Sequence, residues 1–127
     1  MTLDPDMPIL VVDDYRTMVK VMRGLLQQIG LTNVDDAADG EEALRKIQER
    51  PYRLVISDWN MTGMNGLELL TRVRQDMPDA DLRFIMVTSE SKTENVLAAR
   101  RAGVDHYIVK PFNANTLRAK IEAACLA

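Results

Sequence analysis

Leu54-Val55-Ile56-Ser57-Asp58-Trp59-Asn60-Met61 is the stretch on which the fold turns. Its three contiguous apolar residues, two of them β-branched, predict a short strand buried on both faces rather than one with a wet side. The run ends on a single carboxylate, Asp58, followed by polar Asn60. A short apolar run closed by an acid is common in any chain. This one gains meaning from how the other apolar runs end.

Toward the N-terminus, Pro51 closes an amphipathic segment that opens at Asp39-Gly40 and runs to about Glu49, with Ala43, Leu44 and Ile47 on one face. Residues 33–37 before it predict a weaker strand, with Val34 as the only β-branched apolar residue. Met18, Met22, Leu25, Leu26 and Ile29 form one helical stripe that Gly30 is suited to stop. Ile9–Val12 is a continuous apolar run ending in Asp13-Asp14.

Toward the C-terminus, Asn65 with Glu68 three residues on predicts a capped helix start, and Leu70 and Val73 continue its buried stripe until Pro78. Residues 84–87 form the fourth apolar run, ending at Thr88. Ser91 with Glu94 repeats the capping pattern for a helix that reaches Gly103. His106–Val109 is the fifth run, ending at Lys110-Pro111, and Asn113 caps a last helix that buries Leu117, Ile121 and Ala124.

Five strand–helix units follow one another with no linker, repeat or low-complexity segment. Strands alternating with helices of this length imply right-handed crossovers and a parallel sheet covered on both faces, an α/β doubly wound fold. The 127 residues are enough for one domain, 1–127, with a proper core. A net charge of −3 and no basic run longer than two residues argue against binding nucleic acid through its backbone. The single cysteine, Cys125, allows no internal disulfide and suits a reducing compartment. No stretch has the length of a membrane span, and the first eight residues lack the apolar core of a signal peptide. These features predict a cytoplasmic protein, and nothing in them argues against a monomer.

In an open parallel sheet, function gathers outside the carboxyl ends of the strands, where strand order reverses. Strand one presents Asp13 and Asp14 there, strand three Asp58, strand four Thr88 and strand five Lys110. Strand two presents only Ala38-Asp39 and reads as an edge. Three close acids cannot all stay ionised without compensating charge. Lys110 supplies one positive charge, and a divalent cation on oxygen ligands would supply the rest, which suits Mg²⁺. Beside Thr88 and Lys110 such a site suits a phosphoryl group, with one carboxylate able to act as nucleophile. Taken singly, a strand-end Asp is usually a turn former or helix cap, a role open to Asp14, and Thr88 is an ordinary strand terminus. The ordered series argues for a shared crevice.

The matching segments are Val11-Val12-Asp13-Asp14, Ser57-Asp58-Trp59-Asn60-Met61, Gly66-Leu67-Glu68, Met86-Val87-Thr88 and Tyr107-Ile108-Val109-Lys110-Pro111-Phe112. On these, the chain resembles the receiver domain of bacterial two-component response regulators, specifically the single-domain chemotaxis regulators of CheY type. The resemblance implies a five-stranded sheet of order 2-1-3-4-5 in a flavodoxin-like receiver fold, and a cis peptide between Lys110 and Pro111. It implies Asp58 as phosphoacceptor and Mg²⁺ held by Asp13, Asp14, Asp58 and the backbone carbonyl of Asn60, with Asp14 the more direct of the acidic pair. Lys110 would pair with the phosphoryl group, Thr88 would close onto it, and Tyr107 would be the aromatic switch. Asn60 and Glu90 would tune the lifetime of the phosphoryl group. Implied partners are a chemotaxis histidine kinase, a flagellar motor switch protein on the face of helix four, strand five and helix five, and a phosphatase. The implied role is signalling, with Mg²⁺-dependent self-phosphorylation and self-dephosphorylation as the chain's only chemistry.

Some positions depart from the commonest receiver pattern. Thr62 stands where many receivers have proline and Asn65 where Asp is frequent; both are expected to stand clear of the ligands and to affect only loop stiffness and capping. Arg16 is read as a solvated helix-face arginine near the acidic pair, and Arg100-Arg101 as a solvated pair, with an altered partner or an anionic ligand as the sharper alternative. Trp59 is expected as a partly exposed ring over the site. His106 has no second His or Cys nearby and is not read as a metal ligand. A stand-alone receiver acting as phosphate sink or relay would share every site residue. An enzyme on a flavodoxin-like sheet is the remaining alternative, although the turn Asp13-Asp14-Tyr15-Arg16-Thr17 carries neither a dinucleotide fingerprint nor a P-loop.

Overall fold

Each apolar run becomes a strand because its residues have an apolar layer on both sides to bury into. The computed structural model describes residues 2–78, 81–89 and 92–126. Over these the chain alternates β1 (Ile9–Val12), α1 (Arg16–Ile29), β2 (Val34–Ala37), α2 (Gly40–Glu49), β3 (Leu54–Asp58), α3 (Gly66–Asp76), β4 (Arg83–Thr88), α4 (Thr93–Ala102), β5 (His106–Val109) and α5 (Ala114–Cys125). The strands form one five-stranded sheet in the order β2-β1-β3-β4-β5. Every pairing is parallel, with Ile9 opposite both Val34 and Leu54, Leu54 opposite Arg83, and Ile85 opposite His106. The order and the edge position of β2 agree with expectation, and so does the cis peptide between Lys110 and Pro111.

Two apolar layers explain why the strands show no alternation. Ile9, Val11, Leu54, Ile56, Ile85, Val87 and Ile108 pack on one face against Met22 and Leu26 of α1 and Leu117, Ile121 and Cys125 of α5. Leu10, Val12, Val55, Phe84 and Met86 pack on the other against Ala43, Leu44 and Ile47 of α2 and Leu69, Leu70 and Val73 of α3. Burial on that scale, at roughly 25 cal/mol per Å² of apolar surface, is the main force holding the layers together.

Local signals act where expected. Asp39 and Asn113 cap α2 and α5, accepting from the backbone N–H of Glu42 and Thr116. Asn65 caps α3 through the N–H of Glu68, and Gly30 ends α1 at φ +91°, a left-handed conformation that glycine adopts without penalty. Three details differ. Val19 is fully buried on α1 while Met18 is only half-buried, because the helix is rotated slightly from the predicted stripe. Helix α4 starts after Lys92, which caps it without a side-chain bond. The capping role read for Ser91 falls outside the described residues, as does Glu90. Asp14 is not a helix cap either, since Tyr15 occupies that position on α1.

Helix α4 is the lightly attached element, with Ala99 its only fully buried residue. Among the described residues no helix is long and apolar enough to cross a membrane. Cys125 is a free, buried thiol that burial pushes above its ordinary pKa, which makes it packing rather than chemistry.

Candidate functional site

The carboxyl ends of β1, β3, β4 and β5 meet at one edge of the sheet, and that edge gathers the polar residues. Register carries them there: β3 places Asp58 opposite Val87, and β4 places Thr88 opposite Val109, one residue before Lys110. The carboxylate of Asp58 accepts from Lys110 Nζ at 3.3 Å and from the Trp59 N–H at 3.0 Å. Asp13, only 4% exposed, accepts from the Tyr15 N–H at 3.0 Å. Thr88 is buried beside them, and its carbonyl accepts from the Lys110 N–H at 2.8 Å, which ties the two strand ends together.

Burial pushes the Asp13 carboxyl above the usual carboxylate range against the opposing Tyr15 N–H, and the charges of Asp58 and Asp14 add to the rise. Burial raises Asp58 as well, with the Lys110 ammonium pulling the other way and Asp14 adding like charge. The three acids therefore feel one another, and one lysine compensates them incompletely.

The backbone under Asp58 is packed tightly. A Cβ on Gly66 would lie 2.4 Å from the Asp58 carbonyl oxygen and 2.7 Å from Met86 Sδ, so only glycine fits there. The Gly66 N–H donates to the Trp59 carbonyl at 2.8 Å and fixes the loop that leaves β3. Trp59 is half-buried and meets Tyr107 edge-to-face, with ring centroids 6.2 Å apart at 73°. That contact joins the crevice to β5, and no spacing in the sequence announces it.

Asp14 is bonded to the loop after β3. Its Oδ2 accepts both the N–H and the hydroxyl of Thr62, at 3.0 and 3.1 Å. The expectation that residue 62 stands clear of the acids is overturned: the loop after β3 folds back over the end of β1 and puts Thr62 against Asp14. Among the described residues no group of three His, Cys, Asp or Glu side chains is placed to hold one ion as it stands. Arg16 is an exposed residue of α1, as expected, and its guanidinium turns to the β2 edge. It donates to Asp36 at 3.0 Å, where the β2 edge offers a nearer acid. Asn60 is exposed, Trp59 is partly exposed as read, and Tyr107 and Arg100 line a separate cavity of about 520 Å³ with His106 and Lys120.

The donor chemistry of the crevice suits a hard divalent cation. Its side-chain donors, the carboxylates of Asp13, Asp14 and Asp58, are all oxygens, and Asp13 and Asp58 are held above their ordinary range by burial first, with the like charge of neighbouring acids adding to it.

Fold and site together define a class: a doubly wound domain with an acidic crevice, one lysine and one buried threonine at the carboxyl edge of its sheet. The family described as response regulator receiver domain matches residues 9–122, and the chain belongs to it. Within that family it is similar to single-domain chemotaxis regulators of CheY type. Chemotaxis protein CheY-3 of Vibrio cholerae is 42% identical over 120 residues, covering 94% of this chain and 92% of that one. The crystallised CheY4 of Vibrio cholerae superposes with a TM-score of 0.86 at 33% identity, covering 93% and 98% of the two chains. Response regulator protein TrrA of Thermotoga maritima, solved in complex with Mg²⁺-BeF, gives 0.81 at 36% identity, covering 91% and 96%.

Proposed function

We propose that this chain is a stand-alone, phosphorylation-switched chemotaxis regulator in which Asp58 accepts a phosphoryl group from a phosphohistidine of a histidine kinase. The observation that carries the reading is the under-compensated crevice, where Asp58 shares Lys110 with two neighbouring acids beside Thr88. A carboxylate oxygen of Asp58 attacks phosphorus, the phosphorus–nitrogen bond of the donor breaks, and the departing histidine nitrogen takes up a proton. The product is an acyl phosphate on Asp58. Asp13, Asp14, Asp58 and the Asn60 carbonyl would hold Mg²⁺, which when bound supplies positive charge to the phosphoryl oxygens. Lys110 leaves its bond with Asp58 to contact a phosphoryl oxygen, and the Thr88 hydroxyl donates to another. Hydrolysis by water returns the carboxylate, and Asn60 and Glu90 set its rate.

The added charge draws Thr88 and its loop toward the crevice, and Tyr107 follows into the space released. Support for an output face on α4, β5 and α5 comes from the light attachment of α4 and from exposed Leu97 and Val109. The 520 Å³ cavity lined by Val96, Arg100, His106, Tyr107 and Lys120 lies on the same face. A flagellar motor switch protein would dock there and, by linkage, favour the phosphorylated state.

The test is Trp59 fluorescence during Mg²⁺ titration, followed by a small acyl phosphate donor. A Mg²⁺-dependent change and a further donor-dependent change, the latter lost in Asp58→Asn, support the reading. No donor response in the wild type overturns it. Pull-down with a motor switch protein, with and without donor, tests the output face.

A further inference from the structure

The bond between Asp14 and Thr62 spans 48 residues and joins the end of β1 to the loop between β3 and α3. Both donors of Thr62, the N–H at 3.0 Å and the hydroxyl at 3.1 Å, go to the same oxygen, Asp14 Oδ2. Both residues are exposed, so burial does not force the contact. The other two acids are committed differently, Asp13 to the Tyr15 N–H and Asp58 to Lys110 and the Trp59 N–H. Asp14 is thus the acid whose carboxylate is held by the β3–α3 loop.

We infer that Thr62 is a positioning residue that competes with the divalent cation for the Asp14 carboxylate, an inference that rests on the reading of the crevice as a Mg²⁺ site. An oxygen that accepts two hydrogen bonds has its lone-pair directions occupied. As the side chains stand, the acids do not form a group that could hold an ion. For Asp14 Oδ2 to become a ligand it must give up the bonds to Thr62. At Oδ2, cation binding and the Asp14–Thr62 clasp exclude each other. The clasp weakens cation affinity, and its release frees the part of the loop around Thr62, beyond Asn60. Metal occupancy is in this way transmitted to the β3–α3 loop before any phosphoryl group arrives.

The experiment is Mg²⁺ titration by calorimetry with no phosphodonor, on the wild type, Thr62→Val and Thr62→Ser. Valine keeps the branched shape and the N–H but removes the hydroxyl, whereas serine keeps both donors. Thr62→Val should bind Mg²⁺ about five-fold more tightly, the usual net worth of one hydrogen bond to a charged group at an exposed site, and Thr62→Ser should match the wild type. The metal-free Thr62→Val protein should melt below the wild type, and saturating Mg²⁺ should close that gap, because the bond is absent from both loaded proteins. Equal or weaker Mg²⁺ binding by Thr62→Val overturns the inference and leaves the crevice reading standing. No Mg²⁺ binding by the wild type overturns both. Thr62→Ala repeats the comparison if valine perturbs the loop.

Discussion

Two groups of acids sit at two corners of the same sheet, and their environments are opposite. On the β2 edge, Asp36 meets Arg16 at 3.0 Å and Arg23 at 2.9 Å, while Asp35 meets Arg50 at 3.0 Å and the Tyr52 hydroxyl at 2.6 Å. The Tyr52 hydrogen bond, with Arg50, holds the Asp35 carboxyl below the usual carboxylate range. At the crevice, Asp13 and Asp58 are held above it, by burial first and neighbouring acids next, with Lys110 as the compensating cation. The same residue type is thus structural where cations exceed acids and chemically demanding where acids exceed cations. On the edge strand the charges also block sheet-to-sheet pairing with another chain.

The contrast can be broken at several points. Asp58→Asn should abolish the donor-dependent Trp59 response completely while Asp35→Asn leaves it intact; a response surviving in Asp58→Asn would place the acceptor elsewhere. Gly66→Ala forces a methyl into the Asp58 carbonyl and Met86, and overpacking of this kind costs about 2 kcal/mol, read by urea denaturation. Asp13→Asn should raise the stability of the metal-free protein, on the order of 1 kcal/mol, because it removes a buried charge among like charges. Asp35→Asn should lower stability by about the same amount, because it removes a good hydrogen bond and a cation's partner. Opposite signs sharpen the comparison, and equal signs break it.

The smallest effect is in pH. Asp35 has a folded-state value below its ordinary 3.8, so its contribution is present above 3.8 and is lost as pH falls through the lower folded value. Tyr52 is raised from 10 to about 12, by burial first and by Asp35 next, so its contribution is present below 10 and is lost as pH rises toward 12. Denaturation of wild type against Asp35→Asn should therefore show a gap that is wide at neutral pH and narrows at both extremes.

Much of this was legible along the chain. The helix starts at Asp39, Asn65 and Asn113 depend on side chains three residues from their partners, and the strand ends at Asp13, Asp58 and Thr88 follow from apolar runs a few residues long. Those signals are local, so a linear reading recovers them, and with the resemblance they carry the fold and the membership of the crevice. The start of α4 was less legible because Lys92 caps it through backbone geometry alone.

What only the tertiary structure decided is who touches whom across long separations. Arg16 turned to Asp36 twenty residues away, Trp59 to Tyr107, and Thr62 to Asp14 across 48 residues. Such contacts depend on the path of loops after strand ends, where no periodicity constrains the side chains. The amino-acid order by itself determined a parallel sheet with acids at its carboxyl edge, because burial patterns and caps are written within a few residues. The partners that hold or release each acid were decided by the folded chain, because charge compensation depends on distance in space.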